Sequence, residues 1–91
     1  MSVWNDDSSV SQGPFHVIDE LDEVVLTCDL PDHRLAAGDI GTVVLVHDEG
    51  KGYEVEFMTL DGETIAVATL RAEQVRPVKH DEIAHARSMS S

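Results

Sequence analysis

Between Ile40 and Met58 the chain reads IGTVVLVH, then DEGKG, then YEVEFM. The second apolar run alternates cleanly, with Tyr53, Val55 and Phe57 of one parity and Glu54 and Glu56 of the other. A two-residue period of this kind is that of a strand with one buried and one outward face. IGTVVLVH is apolar on both parities in its middle, which predicts at least partial cover on both of its faces. Gly50 and Gly52 in the connecting turn supply backbone able to take positive φ, so the stretch is expected to be a β-hairpin. Gly38 is expected to close the preceding loop, and Gly41 to allow a close approach or a bulge.

The flanking sequence adds strands. EVVLTC (23–28) is the first, with Val24, Leu26 and Cys28 expected on one face. DLPDHRLAAGD follows, where Pro31 bars a continuous strand and leaves a long first loop. After an Asp-Gly turn at 61–62 comes ETIAVATL (63–70). Its parity is ambiguous: either Ile65 and Val67, or Ala66, Ala68 and Leu70, point inward. AEQV (72–75) is read as one 3₁₀ turn before a last short strand, RPV. HVIDELD (16–22) is read as a helical turn or an extended entry, with Val17, Ile18 and Leu21 covering an open end. Five short strands within about 60 residues define an all-β fold, a small five-stranded barrel. A long first loop ahead of a hairpin is a common arrangement in SH3-like barrels, and an SH3-like barrel is expected. The expected organisation is a flexible tail over 1–15, the barrel over 16–78, and a flexible or weakly helical tail over 79–91. Trp4 is the one tail residue expected to dock.

A chain of 91 residues is a single domain with one modest core and little room for an enclosed active site. With 42% hydrophobic but only 4% aromatic residues, the core must be aliphatic. The charge is lopsided: 18 acids against 6 Lys and Arg, a net −12. No Lys or Arg precedes Arg34, whereas eight acids do. Such a surface serves solubility, repels a polyanion and attracts a basic partner. Nucleic-acid binders neutralise phosphates with Lys and Arg, so nucleic acid is disfavoured. Cys28 is the only cysteine, the N-terminus lacks a basic region and apolar core, and no apolar run reaches the ~20 residues of a membrane helix. A cytoplasmic protein with no membrane contact is expected.

Constellations that carry chemistry are sparse. Cys28 shares parity with Val24 and Leu26 and is expected to be a buried, inert thiol. No nucleophile elbow and no phosphate-binding Gly-rich loop is present. Exposed carboxylates keep ordinary pKa values and make poor general acids at neutral pH. His80 and His85 would stand ~140° apart on a helix, unable to share a metal. Asp81 with His85, and Asp29, Asp32 and His33 in the first loop, offer weak cation sites at best. The expectation is a non-enzymatic protein with no cofactor and no metal. The Gly-led hairpin resembles the KOW segment of ribosomal and transcription proteins, which grip RNA with basic and aromatic residues. Here Asp39, Asp48, Glu49, Glu54 and Glu56 stand against the single Lys51.

The segments ELDEVVLTCDLPDH, AAGDIGTVVLVH, YEVEF, DGETIAVATL and RAEQVRP, in this order, resemble a family of short bacterial proteins of unknown function. The resemblance implies an SH3-like barrel without assigned chemistry. More distantly the layout is similar to the barrels of the photosystem I accessory subunit and the nitrile hydratase β chain, docking modules that supply no catalytic residues. Members of the short family also look like small partners encoded beside toxin-like proteins. The sequence therefore leads to an acidic protein-interaction module, an antitoxin, immunity or accessory subunit that binds a basic protein. Contacts are expected from the first loop (Asp29, Asp32, His33, Arg34), the hairpin tip (Asp48, Glu49) and the outer strand face (Glu54, Glu56). The alternatives are a KOW-like nucleic-acid binder and a homo-oligomeric structural domain.

Overall fold

The computed structural model describes residues 17–89, so the 1–15 segment and Trp4 lie outside the described residues. Five antiparallel strands form one sheet: β1 (Glu23–Leu26), β2 (Ile40–His47), β3 (Gly52–Met58), β4 (Thr64–Arg71) and β5 (Val75–Pro77). Their order across the sheet is β4-β3-β2-β1-β5. The fold is all-β, as expected. Residues from all five strands, Val24 and Leu26, Val43, Val55 and Phe57, Leu70 and Val75 among them, share one buried cluster. Both edge strands can contribute to one core only if the sheet curls around it, so the fold is barrel-like.

The hairpin follows the alternation read from sequence. Tyr53, Val55 and Phe57 are buried, while Glu54 and Glu56 face outward and are only partly covered. Its turn is built differently from the expectation. Gly52 belongs to β3, and the left-handed positions are Asp48 (φ 51°), Glu49 (φ 59°) and Gly50 (φ 104°). Positive φ at two adjacent central residues is the twist-matched geometry of a tight hairpin. The Gly50 and Lys51 N–H groups both donate to the His47 carbonyl, at 3.0 and 3.1 Å.

Three expectations from sequence change or sharpen. First, the outer face of β2 is covered only in part. A bulge between Val43 and Leu45 breaks the register with β3, so Val44 and Leu45 are both exposed while Val43 is fully buried. Second, β1 stops at Leu26. The Thr27 N–H turns to the Gln74 carbonyl (2.8 Å), and Cys28 is half-buried at the entrance to the first loop, 3.7 Å from the Gln74 amide. Third, residues 17–22 form a turn that delivers only Ile18 to the core, leaving Val17 and Leu21 exposed. In β4 the structure resolves the parity: Ala68 and Leu70 are buried and Val67 is 52% exposed. Ile65 and Ala66 are both half-buried beside a second bulge, between Phe57 and Met58.

The first loop is ordered by its own hydrogen bonds. Leu30 and Leu35 pair across the 3₁₀ turn Pro31–His33, and Leu35 enters the core. Among the described residues after β5 there is no helix. Residues 82–89 run back along the first loop, where Arg87 and Met89 bond to Asp39 and Arg34.

Candidate interaction surface

Strand register fixes which side chains meet on the outer face. One row across the sheet reads Glu23–Thr42–Glu56–Val67, from β1 to β4. The next reads Leu45–Glu54–Thr69. Val44, the extra residue of the bulge, lies beside Leu45. Opposed side chains in such rows are separated by ~5 Å. The outer face therefore interleaves three carboxylates with three exposed branched apolar side chains: Val44, Leu45 and Val67.

Glu54 and Glu56 have local hydrogen-bond partners, but none of the three acids meets an Arg or Lys among the described residues. His47 Nε2 sits 3.0 Å from Glu54 Oε2, and the Thr64 hydroxyl donates to Glu56 Oε2 at 2.6 Å. The arginines that form ion pairs go elsewhere. Arg71 pairs with Glu73, Arg76 with Glu82 and Arg87 with Asp39. Arg71 opposes Gly52 at the end of the same face, yet its Nε donates to Glu73 at 2.7 Å. That bond holds the Glu73 carboxyl below the usual range. Glu23, Glu54 and Glu56 thus lack a cationic Arg or Lys partner among the described residues.

Backbone strain marks the hairpin tip. Asp48 and Glu49 are exposed and occupy left-handed backbone; Asp tolerates it as Gly and Asn do, whereas for Glu49 it costs ~1–2 kcal/mol. The two acids project from the most advanced point of the β2–β3 hairpin.

The first-loop residues form a separate group. Asp29 Oδ1 accepts from the Ala37 N–H (2.9 Å), so its carboxylate shapes the loop. Asp32 and His33 are exposed within the 3₁₀ turn. Arg34 (φ 60°) caps that turn, and its Nη2 donates to the Met89 carbonyl at 2.7 Å. Of the residues read from sequence, the structure brings Glu54 and Glu56 together on one face with the tip acids at its hairpin end. It ties Arg34 to the chain's own C-terminal segment.

Four contributors are not placed by the sequence. Glu23 reads as one of the N-terminal acids at the start of a strand, and its cross-strand position depends on register. Val44 and Leu45 read only as part of an apolar run, because a bulge has no reliable signature in a run of valines. Asp39 had been weighed only as a negative charge. Its carboxylate accepts the Ala36 N–H (2.9 Å) and the Arg87 guanidinium, and the Arg87 bond holds its carboxyl below the ordinary value against partial burial. Among the described residues no group of three or more His, Cys, Asp or Glu is placed to hold a metal ion. No helix among them is long and apolar enough to cross a membrane.

The model of a domain of unknown function, DUF4926, matches residues 20–77. The chain belongs to the DUF4926 family. The DUF4926 match opens just before β1 and closes at the last residue of β5, so it spans the whole sheet and the first loop but not residues 78–89. No curated protein and no solved structure matches the chain.

Proposed function

We propose that this DUF4926 protein is a non-enzymatic docking module, an SH3-like barrel that binds a basic protein as an antitoxin, immunity or accessory subunit in the cytoplasm. The observation that carries the reading is the outer face of β1–β4. Glu23, Glu54 and Glu56 lie there without Arg or Lys partners, around exposed Val44, Leu45 and Val67. Uncompensated acids around an apolar centre suit a partner that offers Lys or Arg around an apolar patch. The charges steer the encounter, and the apolar side chains hold it. The acids at the hairpin tip, Asp48 and the strained Glu49, extend the negative field beyond the face. Support for the SH3-like assignment is the strand order β4-β3-β2-β1-β5, with the 3₁₀ turn Ala72–Gln74 between β4 and β5.

The test is affinity capture from the native host at low and high salt. The bait is the wild-type chain, set against a Glu23→Gln, Glu54→Gln, Glu56→Gln variant. A basic protein retained by the wild type, weakened by the variant and by salt, is the expected result. No stable protein partner under either salt condition refutes the reading. Tight binding of labelled RNA or DNA at low salt would favour the KOW-like alternative instead.

A further inference from the structure

We propose that Asp39, the Arg34 carbonyl and the adjoining apolar groove form a reading site for an arginine on an extended segment of the partner, a site that residues 82–89 occupy in cis. The inference rests on the basic-partner reading and adds to it where an arginine is recognised and what must flank it.

The acceptors are assembled for a guanidinium. Arg87 Nε donates to Asp39 Oδ1 at 2.8 Å, and Nη2 donates to Oδ2 at 2.6 Å and to the Arg34 carbonyl at 3.1 Å. Two parallel bonds from one guanidinium to one carboxylate read the planar fork of arginine, which lysine cannot reproduce. The carboxylate is held in place before any ligand arrives. Its Oδ2 takes the Ala36 N–H, its own N–H donates to the Ala36 carbonyl (3.0 Å), and its carbonyl accepts from Leu26 of β1 (2.8 Å). A second, sequence-independent contact captures main chain: Arg34 Nη2 donates to the Met89 carbonyl. Together these hold an extended segment by one side chain and one carbonyl.

Beside the fork lies a groove of about 720 Å³, walled on the barrel side by Leu35, Ile40, Phe57, Met58 and Ile65. The cis segment lines it with Ala84, His85, Ala86, Arg87 and Met89, the residue just before the arginine being the small Ala86, and Ile40 and Met58 stay partly exposed. A partner segment with a large apolar residue next to its arginine would bury more of this wall, at about fourfold in affinity per CH₂ covered. The cis segment is held at one end by the Arg76–Glu82 pair (2.5 Å) and at the other by the Arg87–Asp39 fork. Both arginines keep more than a third of their side chain in water, so a partner arginine that also fills the groove can compete for the same acceptors. Asp39 and Arg34 lie inside the DUF4926 match and Arg87 outside it.

The probe is an acetylated, amidated peptide of residues 82–89, EIAHARSM, titrated into the isotope-labelled full chain and followed by amide NMR. A tethered competitor at an effective concentration of ~1 mM weakens a ~100 μM peptide about tenfold. The R87Q chain should therefore bind the peptide about tenfold more tightly than wild type, with shifts at Leu35, Ala36 and Asp39. A peptide carrying Ala86→Leu should bind tighter still, and one carrying Arg87→Gln should not bind. Adding D39N to the R87Q chain should abolish binding. Because D39N could loosen the loop, R87K serves as a second variant: it keeps the charge, loses the fork, and should behave nearly as R87Q does. Equal affinity for wild type and R87Q, no binding to a folded R87Q chain, or binding indifferent to the peptide's arginine would overturn the inference. If the peptide fails while host capture still depends on Glu23, Glu54 and Glu56, only this site falls. If the peptide binds and no partner is captured, the partner reading falls and the arginine site stands.

Discussion

At Gly41 β2 packs tightly against β3, and the Gly41→Ala substitution tests whether that approach shapes the barrel. A Cβ there would lie 2.5 Å from Val55 Cγ1, 2.8 Å from Phe57 Cε1 and 2.9 Å from the Glu56 carbonyl oxygen. Carbon atoms in optimal contact stand ~3.5–4.0 Å apart, so the added methyl overlaps all three neighbours. Val55 and Phe57 are themselves buried in the core and have little room to move. Overpacking of this kind costs ~1–3 kcal/mol. Alanine also narrows the unfolded ensemble, which offsets ~0.4–1 kcal/mol. The third contact is a backbone atom that no rotamer change can move, which places the net loss at about 1–2 kcal/mol. For a domain of 60–100 residues each kcal/mol shifts Tm by ~4–8 °C, so the expected fall is ~5–15 °C in a thermal melt. A double-mutant cycle with Val55→Ala isolates the cause. Removing Cγ1 opens space for the new methyl, so the two changes together should cost at least ~0.5 kcal/mol less than their sum. A Gly41→Ala chain as stable as wild type, or a strictly additive cycle, would refute the close-approach argument.

Glu49 should reward the opposite change. Its left-handed backbone (φ 59°) disfavours an L side chain, so Glu49→Gly is expected to stabilise the fold by ~0.5–1 kcal/mol in denaturant titration; a lowered midpoint contradicts the strain. The Arg76 guanidinium beside Glu82 pulls that carboxyl from an ordinary 4.5 down to about 2. A depressed carboxylate helps hold the folded arrangement at pH above 4.5 and loses that contribution as pH falls from 4.5 towards 2. Carboxyl NMR should find Glu82 titrating near 2 in the wild type and clearly higher in Arg76→Gln, where the Lys79 N–H bond still lowers it, with amides of 79–82 shifting in the same window. A wild-type Glu82 that titrates at 4.5 sinks this claim.

The legible part of the fold lies where one local rule acts alone. Tyr53, Val55 and Phe57 read as core because β3 alternates without interruption, and a two-residue period admits only one assignment. Turn chemistry placed the β2–β3 and β3–β4 connections, and Pro31 marked the first loop. Legibility failed where two rules compete. At Val43, Val44 and Leu45 all three side chains are apolar, so parity alone cannot say which is buried; a bulge decides, and bulges form from the register of two strands. The same holds for Ile65 and Ala66. At the hairpin tip glycine looked like the natural owner of positive φ, and Gly50 has it, but Asp48 and Glu49 share it while Gly52 is drawn into β3 by its pairing with His47 and Arg71.

Of the candidate site, the sequence by itself determined the sign of the charge, the outward parity of Glu54 and Glu56, and the all-β class. Those follow from composition and nearest-neighbour periodicity, which need no knowledge of distant contacts. Tertiary structure alone decided that Glu23 joins Glu54 and Glu56 on one face, since they are 31 and 33 residues away and meet only through strand pairing. It alone decided that Val44 and Leu45 stand exposed among them. It also decided that Arg87 reaches back 48 residues to Asp39, an ion pair that no local pattern could announce. Charge and period are additive properties of the chain, whereas a surface is a property of which segments lie side by side.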